Sequence, residues 1–303
     1  MTHEFHPAMA ARLKQATDDP EHLWAPVGPP EEWDLDIEED WIPGPDVRIR
    51  VRIYRPKGET AARPALVWLH GGAWVGGDLD MPEAHETARG VAGRAGAVVV
   101  SVDYRLCGEK VHFPAPHDDV VAAYRWVREH GGDLGVDPAR IAIGGASAGA
   151  DLAAGAALRL RDEGEAPWQA LLLYPCVHAP LPEPSPELAA ALEKLPKALH
   201  MGDDLMEEVI PLFLDGPLDT ASPYAMPGVA EDLRGFPPTY LDNDEFDTLR
   251  SSGELFGDRL RADGVDVEQV TSYGVLHGHL NIVGFEVAHA TLDRMAARLR
   301  RTS

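Results

Sequence analysis

The chain has 303 residues, 45% of them apolar and 25% charged, which excludes a stapled mini-protein, a collagen-like or coiled-coil rod and wholesale disorder. Lys and Arg number 27 against 50 Asp and Glu, a formal charge of −23, so binding along a nucleic-acid backbone or onto anionic lipid is disfavoured. Only Cys107 and Cys176 are present, without zinc-site or disulfide spacing, and both read as buried thiols.

The N-terminus, MTHEFHPAMA, lacks a basic start followed by an apolar run, and no stretch reaches membrane-helix length; the expectation is a soluble cytoplasmic protein with no membrane contact. Residues 1–45 mix Pro26, Pro29, Pro30, Pro43 and Pro45 with acidic residues and Trp24, Trp33 and Trp41, which predicts a packed irregular arm rather than a strand. The main domain is expected over 46–303. It opens on VRIRVRI from Val47, whose period-two alternation is that of a half-buried antiparallel strand. Apolar runs follow at 65–70, 97–104, 140–145, 169–175 and 238–243, interleaved with helical patterns near 83–94, 118–130, 148–162 and 250–263. That order predicts a doubly wound α/β fold, a mostly parallel central sheet with helices on both faces. A Pro-rich, acidic insertion at about 180–220 breaks the rhythm. With the arm, it is expected to form a small helical cap over the carboxyl ends of the strands, where open α/β sheets place their ligand crevice.

GASAG, residues 145–149, follows the strand RIAIG and precedes an Ala-rich helical stretch. This is the setting of a nucleophile elbow, in which small neighbours permit a strained turn that lifts Ser147 above the sheet while the helix start favours developing negative charge. GGASAG is not a phosphate loop, because Ala150 and Asp151 stand where Lys and Ser or Thr are needed, and His85–Glu86 fails as a zinc-protease motif because position 89 is Arg89. HGGAW, residues 70–74, follows the strand ALVWL; its Gly71 and Gly72 amides, with that of Ala148, are the expected oxyanion donors. A serine hydroxyl needs a His base oriented by a carboxylate, in the chain order Ser, acid, His. Asp242, Asp244, Glu245 and Asp247 are the acid candidates, and His277 and His279 the base candidates.

On these motifs the chain resembles the hormone-sensitive-lipase-like family of α/β-hydrolase esterases, the bacterial type IV lipolytic enzymes, over roughly 45–300. YRP (54–56), HGGAW, VDYRL (102–106), FPAPHDDVVAAYRWV (113–127), GASAG, SPYAMP (222–227), EFDTLRSSG (245–253) and LHGHL (276–280) carry the likeness in collinear order. The resemblance implies an α/β-hydrolase fold with a small helical cap and a serine carboxylesterase hydrolysing small to medium acyl esters through an acyl-enzyme. It selects Asp247 as the acid, since EFDTLRSSG aligns with the family's EFDPLRDEG, and His277 as the base, leaving Asp242, Asp244 and Glu245 as supporting residues. His279 replaces the family's usual Phe and is expected in the pocket or in packing. Trp74, Phe213 and Tyr224 are candidate walls of an acyl pocket built by the arm and insertion.

The sequence departs from the family's GDSAGG and DYRLAPE at GASAGA and DYRLCGE, without losing a triad or oxyanion element. No metal and no organic cofactor is implied, and the expected partner is a small-molecule ester. The resemblance allows a monomer or a homodimer joined through an edge strand. Rival readings are an amidase, carbamate hydrolase or lactonase with the same triad, and a noncatalytic small-molecule binder like the plant gibberellin receptors, which lack the catalytic His present here as His277.

Overall fold

A computed structural model describes residues 3–15, 20–58, 62–202 and 205–301. Arm residues 1–2 and 16–19 and insertion residues 203–204 lie outside the described residues. The chain runs α1 (Pro7–Gln15), β1 (Leu35–Pro43), β2 (Arg48–Pro56), β3 (Arg63–Leu69), α2 (Pro82–Ala95), β4 (Val98–Asp103), α3 (Ala115–Glu129), α4 (Gly131–Leu134), β5 (Val136–Ala146), α5 (Ala148–Asp162) and β6 (Ala170–Leu173). It continues through α6 (Pro186–Leu192), α7 (Ile210–Leu214), β7 (Thr239–Phe246), α8 (Arg250–Ala262), β8 (Val267–Leu276) and α9 (Glu286–Leu299).

The strands form one eight-stranded sheet in the order β1-β2-β4-β3-β5-β6-β7-β8. β2 is antiparallel to β1 and β4, and the remaining pairings are parallel. The continuous apolar runs become strands covered on both faces. In β3, Ala65, Val67 and Leu69 join the core under α3, α5 and α8, whereas Leu66 and Trp68 join the core under α2 and α9. All parallel strands end on one side, so the loops after β3, β5, β7 and β8 converge there, where α/β sheets bind their ligands.

One expectation for the arm is corrected: Leu35–Pro43 is a strand, β1, paired along its length with β2. Its sequence hid this because most of the strand is exposed, so no apolar face is needed. Cross-strand ion pairs such as Glu38–Arg55 and Glu39–Arg52 line the pairing instead. Among the described residues no helix is long and apolar enough to cross a membrane.

Candidate active site

Ser147 is the single residue between β5 and α5. Its φ of 54° and ψ of −121° lie in a region that side chains rarely occupy, a strain held by tight packing around it. A Cβ on Gly145 would fall 2.3 Å from the Gly149 carbonyl oxygen, and one on Gly149 would fall 2.3 Å from that of Leu69. Only glycine therefore lets α5 start this close to the end of β3. The Ser147 N–H donates to the Leu173 carbonyl at 2.9 Å, pinning the turn to β6.

His277 follows the last residue of β8 and Asp247 the last residue of β7. The Ser147 hydroxyl lies 2.8 Å from His277 Nε2, and His277 Nδ1 lies 2.7 Å from Asp247 Oδ2. With Nδ1–H donating to the carboxylate, Nε2 is left as the acceptor for the serine hydroxyl. Asp247 is 1% exposed, and its other oxygen accepts the Leu249 N–H at 2.8 Å. Burial opposes a charge on His277, but the facing Asp247, with Asp244 and Glu83 beyond it, outweighs burial and raises the imidazole above its ordinary 6.5.

The Gly71 amide is a correction to the expected oxyanion set. It already donates to Glu83 Oε2 at 2.7 Å. The next two residues turn sharply, with φ of 118° at Gly72 and 53° at Ala73. Among the described residues, the amides of Gly72 and Ala73 have no acceptor. Ala148 opens α5, so its N–H lacks an acceptor one turn back. Among the described residues this leaves the amides of Gly72, Ala73 and Ala148 free to donate. Ala73 is not among the expected donors, because no residue type marks which peptide of a Gly-rich turn is left without an acceptor.

An apolar cavity of about 280 Å³ borders His277 and Asp247. Its walls are Trp24 from the arm, Leu195, Leu199 and Met201 from the insertion, and Phe246 and Leu276 at the ends of β7 and β8. Trp24 Nε1 also donates to the His277 carbonyl at 3.3 Å.

The expected pocket residues do not border this cavity. Trp74 and Phe213 stack with centroids 4.7 Å apart, buried in the core on the α5 face, where Trp74 Nε1 donates to Asp151 at 3.2 Å. Tyr224 donates to Asp162 at 2.9 Å. Its carbonyl packs against Gly155 in the middle of α5 and its ring stacks on His117, and it does not line this cavity. His279 is 1% exposed and spends both ring nitrogens, on Asp244 at 2.6 Å and Thr291 at 2.9 Å. Its place is a polar network beneath the loop, not the pocket.

That network also takes up two of the other acid candidates. Asp242 accepts from Arg294, Tyr240 and Ser272, and Asp244 accepts the Gly278 N–H. Glu245 accepts the Gly274 N–H and bonds His3 of the arm. Two groups bring a His nitrogen and two carboxylates within 4.8 Å, Asp244–Asp247–His277 and His3–Glu187–Glu245. In both, these side chains are already engaged in the bonds given above or with Arg250, which holds Glu187 at 2.6 Å.

Residues 66–281 match a family model described as the α/β-hydrolase fold. The chain is 37% identical to the carboxylesterase NlhH of Mycobacterium tuberculosis, over 96% of this chain and 88% of that one. It is 30% identical to the arylacetamide deacetylase of Bos taurus, over 81% and 76% respectively. Among solved structures it is similar to a hyperthermophilic esterase from the archaeon Pyrobaculum calidifontis, with a TM-score of 0.78 and 37% identity over 88% of this chain and 85% of that one.

Proposed function

Since this chain belongs to the α/β-hydrolase fold family, on its hormone-sensitive-lipase-like esterase branch, we propose that it is a serine carboxylesterase with Ser147, His277 and Asp247 as its catalytic residues. One observation carries this reading: the unbroken hydrogen-bonded chain from Ser147 Oγ through the imidazole to Asp247, at 2.8 and 2.7 Å. As Oγ attacks the ester carbonyl, its proton passes to His277 Nε2, and Asp247 holds the ring and stabilises the imidazolium. The amides of Gly72, Ala73 and Ala148 receive the oxyanion. The imidazolium returns its proton to the departing alkoxide. A water activated by the neutral ring then attacks the acyl-enzyme, releasing the acid and restoring Ser147.

For that proton return the alkoxide must stand beside His277, and the cavity lies on the imidazole side. We therefore read the arm and insertion as a cap that seats the alcohol portion of the substrate, in place of the acyl pocket expected from sequence. A cavity of roughly 150 Å³ takes up benzene, so about 280 Å³ suits an aryl or branched alkyl alcohol. Two buried, unpaired thiols, Cys107 and Cys176, support a reducing, cytoplasmic setting.

The test is Ser147→Ala in a panel that holds the acyl group constant while the alcohol grows, then the reverse, with an anilide and a lactone alongside. Wild-type protein is expected to hydrolyse p-nitrophenyl esters and to be labelled by a fluorophosphonate. The variant should lose both, turnover falling by more than about 1000-fold. Retention above that level with the fold intact overturns the assignment, and a dependence on acyl rather than alcohol size overturns the reading of the cavity.

A further inference from the structure

Glu83 lies in the first turn of α2 and is 2% exposed. Its Oε2 accepts the Gly71 N–H at 2.7 Å, and its Oε1 accepts the Tyr174 hydroxyl at 2.6 Å and Asn281 Nδ2 at 3.2 Å. The backbone of the same residue doubles the link, since its N–H donates to Asn281 Oδ1 at 3.3 Å and its carbonyl accepts Trp68 Nε1 at 3.0 Å. Three of these partners, Gly71, Tyr174 and Asn281, lead to the candidate catalytic residues. Gly71 precedes the two free loop amides. Tyr174 follows β6, and its ring meets that of His277 edge-on with centroids 5.0 Å apart. Asn281 lies in the loop that carries His277 and also donates to the Gly278 carbonyl at 3.3 Å.

We propose that Glu83 is a positioning residue that ties the oxyanion loop and the imidazole loop to one carboxylate and keeps a negative charge behind His277. The proposal rests on the esterase reading. Three donors converge on two oxygens, two of them N–H groups that can only donate, a pattern that suits an acceptor-only carboxylate. Gly71 lies between Glu83 and Ser147 with no room for a side chain, since a Cβ there would fall 2.5 Å from Glu83 Oε2 and 3.2 Å from the Ser147 Cβ. Through the Gly71 N–H bond, a shift of Glu83 therefore moves the peptide that leads into the two free loop amides.

The charged and titratable groups facing His277 are Asp247 after β7, Asp244 within β7, Glu83 from α2, Tyr174 after β6 and Ser147 before α5. His279, in the same loop, is paired with Asp244. Burial lowers the imidazole while Asp247, Asp244 and Glu83 raise it. Removing the Glu83 charge should therefore move the His277 titration to lower pH.

The experiment compares wild-type protein with Glu83→Gln, Glu83→Asp and Asn281→Ala. One readout is the rate at which a fluorophosphonate labels Ser147, and the other is the NMR titration of the His277 imidazole. Neither needs an ester, so absence of ester turnover would sink the esterase reading and leave both readable. Glu83→Gln is expected to slow labelling by about 10- to 100-fold, the scale of small misplacements at a reacting centre, and to lower the His277 midpoint. Glu83→Asp keeps the charge with a shorter reach, so it should restore the midpoint but not the rate. Asn281→Ala cuts the bridge and leaves the charge, so it should slow labelling at an unchanged midpoint, and it decides the point should the Glu83 variants fail to fold. Labelling at the wild-type rate in Glu83→Gln or Asn281→Ala overturns the positioning role, and an unmoved midpoint in Glu83→Gln overturns the electrostatic one.

Discussion

Asp151, in the first turn of α5, is fully buried beside the Trp74–Phe213 stack, with Trp74 Nε1 bonded to one oxygen and no partner for the other among the described residues. Burial is the leading cause that pushes its carboxyl well above the ordinary 3.8, and the Trp74 bond only partly opposes it. The sign follows from linkage. The folded state binds a proton that the unfolded chain releases, so the stability this proton brings is full below about 3.8 and is lost as pH climbs toward the raised folded value. Across that interval the loss runs at about 1.4 kcal/mol per pH unit. Asp151→Asn has no such proton to lose. Its stability relative to wild type is expected to improve as the pH rises above about 4 in urea titrations, and a pH-independent difference would contradict this account.

α5 meets the end of β3 so closely that two carbonyl oxygens, of Leu69 and His70, lie 2.3 and 2.4 Å from where a Cβ on Gly149 would sit. Those atoms are backbone and cannot swing aside. Overpacking commonly costs about 1–3 kcal/mol, and Gly149→Ala is expected at or beyond the top of that range by chemical denaturation. Activity should fall with it, since His70 leads directly into the oxyanion loop. A stability within about 0.5 kcal/mol of wild type would mean that α5 can slide, and the elbow would not be held by this contact. The same elements differ in how openly their sequences declare them. Strands β3, β4 and β6 are near-continuous apolar runs because both faces are covered, β7 is as fully buried but declares itself less, since Asp242, Asn243, Asp244 and Glu245 stand within it, and α5 follows a turn that only small residues permit. β1 is the opposite case: exposed along most of its length, it is held by β2 and by ion pairs that no periodicity reveals.

Across the whole molecule the 27 basic residues are outnumbered by 50 acidic ones. Many of the cations are engaged, as Arg105 is with buried Asp119 and Arg294 with buried Asp242, yet the excess charge of −23 remains as long-range repulsion. Exposed pairs are worth only about 0–1 kcal/mol each, so screening the repulsion should outweigh screening the pairs. Raising the salt to about 1 M shortens the Debye length to roughly 3 Å. The melting temperature is expected to rise by several degrees over that change. A fall would mean that the ion pairs, not the net charge, dominate the surface.

What the amino-acid order determined alone were the features set by near neighbours in the chain: buried strands, the strand-turn-helix at Ser147, and an acid and a His directly after β7 and β8. Those positions are legible because the geometry there is local, and the family motifs then chose Asp247 and His277 among their neighbours. The tertiary structure decided what depends on distant partners. Gly71 is taken up by Glu83, His279 is drawn into a network with Asp244 and Thr291, and the cavity wall pairs Trp24 with residues 195–201. None of this is written in any single segment, because the direction of a side chain or a peptide is set by the atoms packed against it, and here those come from segments far apart in the chain.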